Sequence, residues 1–405
     1  MNKQLAWLIS LVVLIAVCLV LSLLASWAQA NVVTLERPSR VHEIGLADLT
    51  GNGYLDAYLA IGHGSGEPYI HPDYVLFNEG DGRFADSGQS LANRNSFSVR
   101  LADVNGDGHM DAVVGHDGGV LAHFNDGRGF LDGDSYAVTG VSPGTLRLRA
   151  AVADLNGNGS PDIYGAACCG GGTGTTPSRA LLAEDRVWRN NGRGLFILNT
   201  GGSLASTGSN DVALADLNGS GFVDAFIVSG QSTNADGSTS RNTPKTVWFN
   251  DGDGRFSDSG QQLGQAESMA AALGDLNGNG FLDAVVGNRG ADEIWLNDGT
   301  GVFSNSGQRL GRGLTQAVFL ADLNGNGRLD LVTAGERSAR IWLNDGNGRF
   351  SAGQQIGINR YEMIALGDVT GDGLADIFVA GVASYQVWRG QGNGRFTADT
   401  RSSFR

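Results

Sequence analysis

The stretch Asp103-Val-Asn-Gly-Asp-Gly-His-Met-Asp111 puts oxygen-bearing side chains at its first, third, fifth and ninth positions and glycines at its fourth and sixth. Small oxygen ligands on a backbone folded tightly by glycine are what a hard cation such as calcium requires. The phrase returns six more times: Asp48 to Asp56, Asp154 to Asp162, Asp216 to Asp224, Asp275 to Asp283, Asp322 to Asp330 and Asp368 to Asp376. Successive first aspartates lie 55, 51, 62, 59, 47 and 46 residues apart, a period that indicates a propeller, solenoid or array.

The flanking residues decide among these. A short apolar run precedes each phrase, as in Ala213-Leu-Ala-Asp216, and another follows, as in Leu282-Asp-Ala-Val-Val286. Runs this short, bounded by Gly and Asn, favour buried strands over helices. A third run, such as Glu293-Ile-Trp-Leu-Asn297, leads into an Asp-Gly type turn and an aromatic, as in Asn344-Asp-Gly-Asn-Gly-Arg-Phe350. That turn supplies positive φ and joins a third strand to a fourth. Four antiparallel strands per unit and seven units predict an all-β, seven-bladed β-propeller over residues 31–405, with cation loops between strands one and two of each blade. A ring of small sheets needs no single core, which suits a chain of this length. The chain ends on a fourth-strand segment, Arg395-Phe-Thr397, so blade seven is complete by itself or gains Val32 to Leu35 as an added strand; both closures stand open.

The succession of Asp-x-Asn-Gly-x-Gly-x-x-Asp, a Val-Val-Gly-like strand and Trp-x-Asn-Asp-Gly-x-Gly-x-Phe resembles the FG-GAP or VCBS-type repeat family and is similar to the calcium-binding propeller of integrin α chains. The resemblance covers nearly everything after residue 40. It implies the fold and the metal but names no ligand, because that family hosts adhesins, lectin-like modules and appendages of enzymes.

In each loop, side chains at positions one, three, five and nine and a backbone carbonyl at position seven are the candidate ligands. Position one is Asp48, Asp103, Asp154, Asp216, Asp275, Asp322 and Asp368; position three is Thr50, Asn105, Asn156, Asn218, Asn277, Asn324 and Thr370. Position five is Asn52, Asp107, Asn158, Ser220, Asn279, Asn326 and Asp372. Position seven, through its carbonyl, is Tyr54, His109, Ser160, Phe222, Phe281, Arg328 and Leu374; position nine is Asp56, Asp111, Asp162, Asp224, Asp283, Asp330 and Asp376. Val114 stands where an EF-hand has its bidentate Glu, so these are strand-to-strand loops of another kind. Only Asp107 and Asp372 add a third carboxylate, which predicts weak, extracellular-type affinity of roughly 0.1–1 mM, strongest in loops two and seven and weakest in loop four.

Seven divalent ions would offset the formal charge of −14, so the net acidity reads as metal-site charge and makes nucleic acid a poor partner. Residues 1–30 read as a signal peptide: Lys3, an apolar run from Leu5 to Leu24, and the Ala28-Gln29-Ala30 cleavage pattern. The same run is long enough to serve as an uncleaved anchor, and either outcome places the chain outside the cytoplasm: secreted, periplasmic or at the cell surface. Cys168 and Cys169 are left as a vicinal disulfide candidate or a pair of thiols.

Consecutive antiparallel strands send connections alternately to opposite ends, so the cation loops and the three-to-four turns share one face. From the last loop aspartate to the end of strand three is 14 residues in blades two, five, six and seven, but 22, 28 and 26 in blades one, three and four. These insertions, Gly62 to Asp73, Gly165 to Arg186 and Ser229 to Lys245, project from the opposite face, and loops on a rigid scaffold concentrate binding residues. Candidate ligand-binding residues are His63, Glu67, Tyr69 and His71 in the first insertion and His116 and Asp117 on blade two's connection. Trp188, Trp248, Trp295, Trp342 and Trp388 hold one repeat position and read as packing between blades, as does His123.

No Gly-x-Ser-x-Gly or His-Glu-x-x-His motif is present, and the glycine run at 170–174 lacks the Lys of a phosphate loop. The sequence thus predicts a calcium-stabilised module that binds a protein or glycan partner at the cell surface or outside the cell, through blades one to four. Two alternatives remain: a propeller-based hydrolase or lyase using the blade one and two histidines, and a structural surface protein without a specific ligand.

Overall fold

The computed structural model describes residues 39–62, 72–91, 94–131, 136–138, 147–168, 184–201, 204–230, 232–233, 239–240, 243–360 and 362–403. They fold as seven antiparallel blade sheets in chain order, with one additional two-stranded sheet. Blade one is typical: Arg40–Ala47, Asp56–Gly62, Tyr74–Asn78 and Phe84–Asp86, hydrogen-bonded in that order. In blade five the second and third strands run on as one element, Asp283–Asn297, through a tight turn in which Asn288 N donates to Asp292 Oδ1 and Gly290 takes φ 135°. Within blade four's long connection, Ser232–Thr233 pairs with Thr239–Ser240.

Burial follows strand position. Second strands such as Asp56–Gly62 and Asp224–Ser229 are buried throughout, being covered by neighbouring blades on both faces. That is why they read as near-continuous apolar runs rather than alternating ones. First strands such as Arg40–Ala47 and Ser96–Ala102 are largely buried in their first half and half-buried toward their ends, where they line a central channel.

Among the described residues the apolar interior divides into seven clusters, each shared by two adjacent blades. Trp188 packs with Val104, Val113 and Ala122 of blade two, Trp295 with Phe226 and Val247 of blade four, and Trp342 with Val285 and Ile294 of blade five. Trp248 and Trp388 are partly buried against the equivalent clusters, and His123 is buried. The repeated tryptophans are therefore packing between blades.

Blade seven draws its four strands, Met363–Gly367, Asp376–Ala380, Ser384–Gly390 and Phe396–Ala398, from its own repeat, with Ser402–Ser403 added on the third. It meets blade one directly: Phe84, Phe378 and Tyr385 stack in one cluster, and Phe84 N donates to Tyr385 Oη at 2.9 Å. Val32 to Leu35 and the leader lie outside the described residues.

Candidate functional site

Each candidate cation loop is organised by its two aspartates. Asp368 Oδ1 accepts from Gly371 N at 2.7 Å and Asp372 N at 3.1 Å, and Oδ2 accepts from Gly373 N at 2.8 Å. Asp103, Asp275 and Asp322 repeat this three-amide cap. Asp48, Asp154 and Asp216 keep two of its bonds.

The ninth-position aspartates are fully buried and tie the loop to strand three. Asp376 Oδ2 accepts from Val369 N and Oδ1 from Gly390 N; Asp111 does the same with Val104 N and Asn125 N. Burial pushes these carboxyls upward, to about 6 for Asp111 and Asp162, against backbone amides that pull the other way. At position three, the Thr50 and Thr370 hydroxyls and the Asn156 and Asn324 amides donate to the same ninth carboxylate. At position five, Asn52, Asn158 and Asn279 donate to the last carbonyl of strand three.

Carboxylate oxygens of Asp368, Asp372 and Asp376 all lie within 4.8 Å of one another, the one group of three metal-ligating side chains so placed among the described residues. In loop two the fifth-position Asp107 Oδ2 instead accepts from Asn105 Nδ2 at 2.9 Å. Position-seven side chains lie over the three-to-four turn of their own blade. A Cβ at Gly299, whose φ is 90°, would stand 2.5 Å from the Phe281 ring, so that turn admits only glycine. Loops and turns therefore share a face, as the strand alternation requires.

The FG-GAP-like repeat model matches residues 48–114, 103–165, 275–333 and 322–379, together more than half of the chain. The chain belongs to the FG-GAP-like repeat family. No curated protein matches it. Among solved structures, it is similar to an Agrocybe aegerita lectin that recognises non-reducing terminal N-acetylglucosamine, at 22% identity and a TM-score of 0.58, covering 89% of this chain and 93% of that one. A Lactobacillus plantarum protein is similar at 14% identity and TM-score 0.57, over 84% of this chain and 94% of that one. A functionally unknown Desulfotomaculum acetoxidans protein is similar at 12% identity and TM-score 0.54, over 82% and 96%.

In this FG-GAP-like propeller, His63, Glu67, Tyr69 and His71 lie outside the described residues, as do Cys169 and the Cys168 side chain. His116 ends the second strand of blade two and is buried, which holds its imidazole below the usual range; among the described residues its Nδ1 has no hydrogen-bond partner. The half-buried Asp117 donates its N–H to the Asn95 carbonyl.

Three buried carboxylates escaped the sequence reading. Asp73 Oδ2 accepts from Tyr58 Oη at 3.0 Å and Ser96 Oγ at 2.7 Å, and Oδ1 from Ile61 N at 2.7 Å. Asp185 repeats this with Tyr164, Ser209 and Ala167 N, and Asp292 accepts from Thr315 Oγ1 and Asn288 N. Burial raises all three to about 7. Ser96, Ser209 and Thr315 come from the following blade, so each carboxylate bridges two sheets. The signal was available: each stands five residues before the Asn that ends strand three. In blade four that register holds Lys245, fully buried and paired with Glu293 of blade five.

Proposed function

We propose that the chain is an exported calcium-binding β-propeller that captures a protein or glycan partner on the face opposite its cation loops. The observation that carries the metal part is the convergence of Asp368, Asp372 and Asp376. An all-oxygen donor set of this kind fits a hard divalent cation; loop two carries the same three carboxylates in Asp103, Asp107 and Asp111, and the other five loops offer two with Asn, Ser or Thr oxygens in the same order. When bound, calcium would neutralise the loop carboxylates and hold the strand-one to strand-two turns closed. The chain's own amides already shape those turns around the first aspartate, so little reorganisation is asked of the ion.

The binding part rests on the length of the second-to-third connections of blades one, three and four, which join strand ends remote from the cation loops. The shared propeller fold is one on which a lectin is built, a fold-level analogy that favours a glycan among the candidate partners. Retention on glycan arrays and in pull-downs, with calcium and with chelator, tests the reading. Chelator-sensitive retention is the expected result, whereas a chain that retains nothing in calcium is a structural surface protein.

A further inference from the structure

Among the described residues nine large apolar side chains are exposed, and eight of them stand on the cation-loop face. Tyr54, Met110, Phe222, Phe281 and Leu374 belong to the cation loops, whereas Phe130, Leu195 and Val302 close three-to-four turns. Apolar residues scattered singly over a surface need no explanation, but this set is confined to one end of the ring and comes from six of its seven blades. Packing uses these side chains only in part. The rings of Phe222 and Phe281 lie over their own blades' turns and stay 42% and 44% exposed; Phe130 meets Phe77 edge-on at 5.7 Å and stays 49% exposed.

Loops and turns form one rim, each loop abutting the turn of the next blade. A Cβ at Gly106 would stand 2.9 Å from the Gly192 carbonyl, and one at Gly278 3.8 Å from that of Gly346. Around this rim the apolar tips alternate with exposed polar residues. That arrangement suits a flat partner met at many points better than a protein surface, which needs one contiguous apolar centre.

The polar groups of the rim narrow the partner further. Arg128, Arg193 and Arg395 are exposed at turn tips, and their guanidiniums make no ion pair or hydrogen bond among the described residues. Turn acids are held instead to their own backbone: Asp126 Oδ1 accepts from Arg128 N and Phe130 N, and Asp345 Oδ1 from Asn347 N and Arg349 N. Each loop offers a calcium ion five oxygens by position, short of the roughly six to eight that ion takes, so an oxygen from outside completes the shell. Without the ion, the loop carboxylates repel an anionic surface.

We propose that the cation-loop face docks on an anionic phospholipid bilayer when calcium is bound. Headgroup oxygens complete the loop ions, Arg128, Arg193 and Arg395 pair with further headgroups, and the apolar tips enter the interface. The docking rests on the calcium reading above and turns the opposite, partner-binding end of the propeller away from the bilayer.

The test is hydroxyl-radical footprinting of the full chain at Met110, 42% exposed on this rim, with the buried Met363 as internal reference. In calcium, vesicles of phosphatidylcholine containing about 30% phosphatidylserine should protect Met110, and phosphatidylcholine alone or chelator should abolish the protection. Reading Met110 instead of total retention keeps the apolar leader from counting. The vesicle concentration giving half protection should rise about tenfold or more in the pair Leu195→Ser with Val302→Ser, and in the pair Arg193→Gln with Arg395→Gln, at unchanged melting temperature and calcium titration. Equal protection by phosphatidylcholine, protection that survives chelator, protection in calcium without vesicles, which marks a second copy on this face, or insensitivity to both pairs overturns the docking. Should a pair unfold, Phe130, Phe222 and Phe281 of the unmodified chain decide: joint protection with Met110 is expected, and protection of Met110 alone is a failure. A chain that binds calcium in direct titration yet leaves Met110 exposed on these vesicles loses the docking alone, whereas one that binds no calcium loses the calcium reading as well.

Discussion

Asn78 Nδ2 donates to the Val369 carbonyl at 2.8 Å, joining residues 291 positions apart in the chain. The same bond runs around the ring, from Asn125 to Leu49, Asn190 to Val104, Asn250 to Leu155, Asn297 to Leu217 and Asn344 to Leu276. Each strand-three Asn thus clasps the cation loop of the preceding blade, and blade one clasps blade seven by the same device. Asn78→Leu strands the Val369 and Leu55 carbonyls and the Gly80 amide, which is expected to cost about 2–4 kcal/mol. Asn250→Leu, the same change inside the ring, is the control. Urea unfolding showing no loss in Asn78→Leu alongside a clear loss in Asn250→Leu would mean that closure is carried elsewhere.

Calcium is expected to set the melting temperature. At tenfold excess over the dissociation constant, linkage contributes about 1.4 kcal/mol per occupied loop. Scanning calorimetry before and after dialysis against EDTA should show a fall of many degrees, reversed by calcium and not by magnesium. Asp372→Asn should weaken the tightest class of sites in a calcium titration, since it removes one of three convergent carboxylates. An unchanged titration would detach that cluster from metal binding.

Acid should stabilise the chelated protein through Asp73, Asp185 and Asp292. Their folded carboxyls titrate near 7 against an ordinary value of 3.8, so the folded state holds more protons between those limits. That contribution is complete below about pH 4 and is lost as pH rises through 7. Asp185→Asn mimics the protonated carboxyl beside Tyr164 and Ser209. It should raise the melting temperature at pH 8 and flatten its slope between pH 5 and 8; a steeper slope in the variant would contradict the assignment.

Trp188→Ala empties a fully buried site between blades two and three, at an expected cost of about 3–5 kcal/mol. Trp248→Ala, at a half-exposed site, should cost less. Equal losses by denaturant unfolding would show that burial does not rank the five tryptophans.

The ring was legible because the Asp-Gly phrases repeat and break every blade at the same place. The clasps were not, because an Asn at a strand end is ordinary turn chemistry until a neighbouring blade is set against it. Gln89, Gln261, Gln308 and Gln354 make the same point: each amide reaches the segment that follows strand three of the next blade, donating to one backbone carbonyl and accepting from one backbone N–H. Lys245 reads as part of a polar insertion, yet Lys245 N pairs with the Leu263 carbonyl at 3.2 Å and its side chain is sealed inside. Local pattern gives strand and turn, whereas contacts made across the sheets depend on which repeat stands next door.

Blade four is the odd member of the set. Where blades one and three place a tyrosine against an aspartate, it has Phe226 without a hydroxyl and Lys245 reaching into blade five, where Glu293 receives it beneath Trp295. Its neighbour is therefore specified by charge as well as by shape. Grafting this module between other repeats would leave an ammonium group without its counterion, so the order of these units is written into their interiors and shuffling them is not neutral.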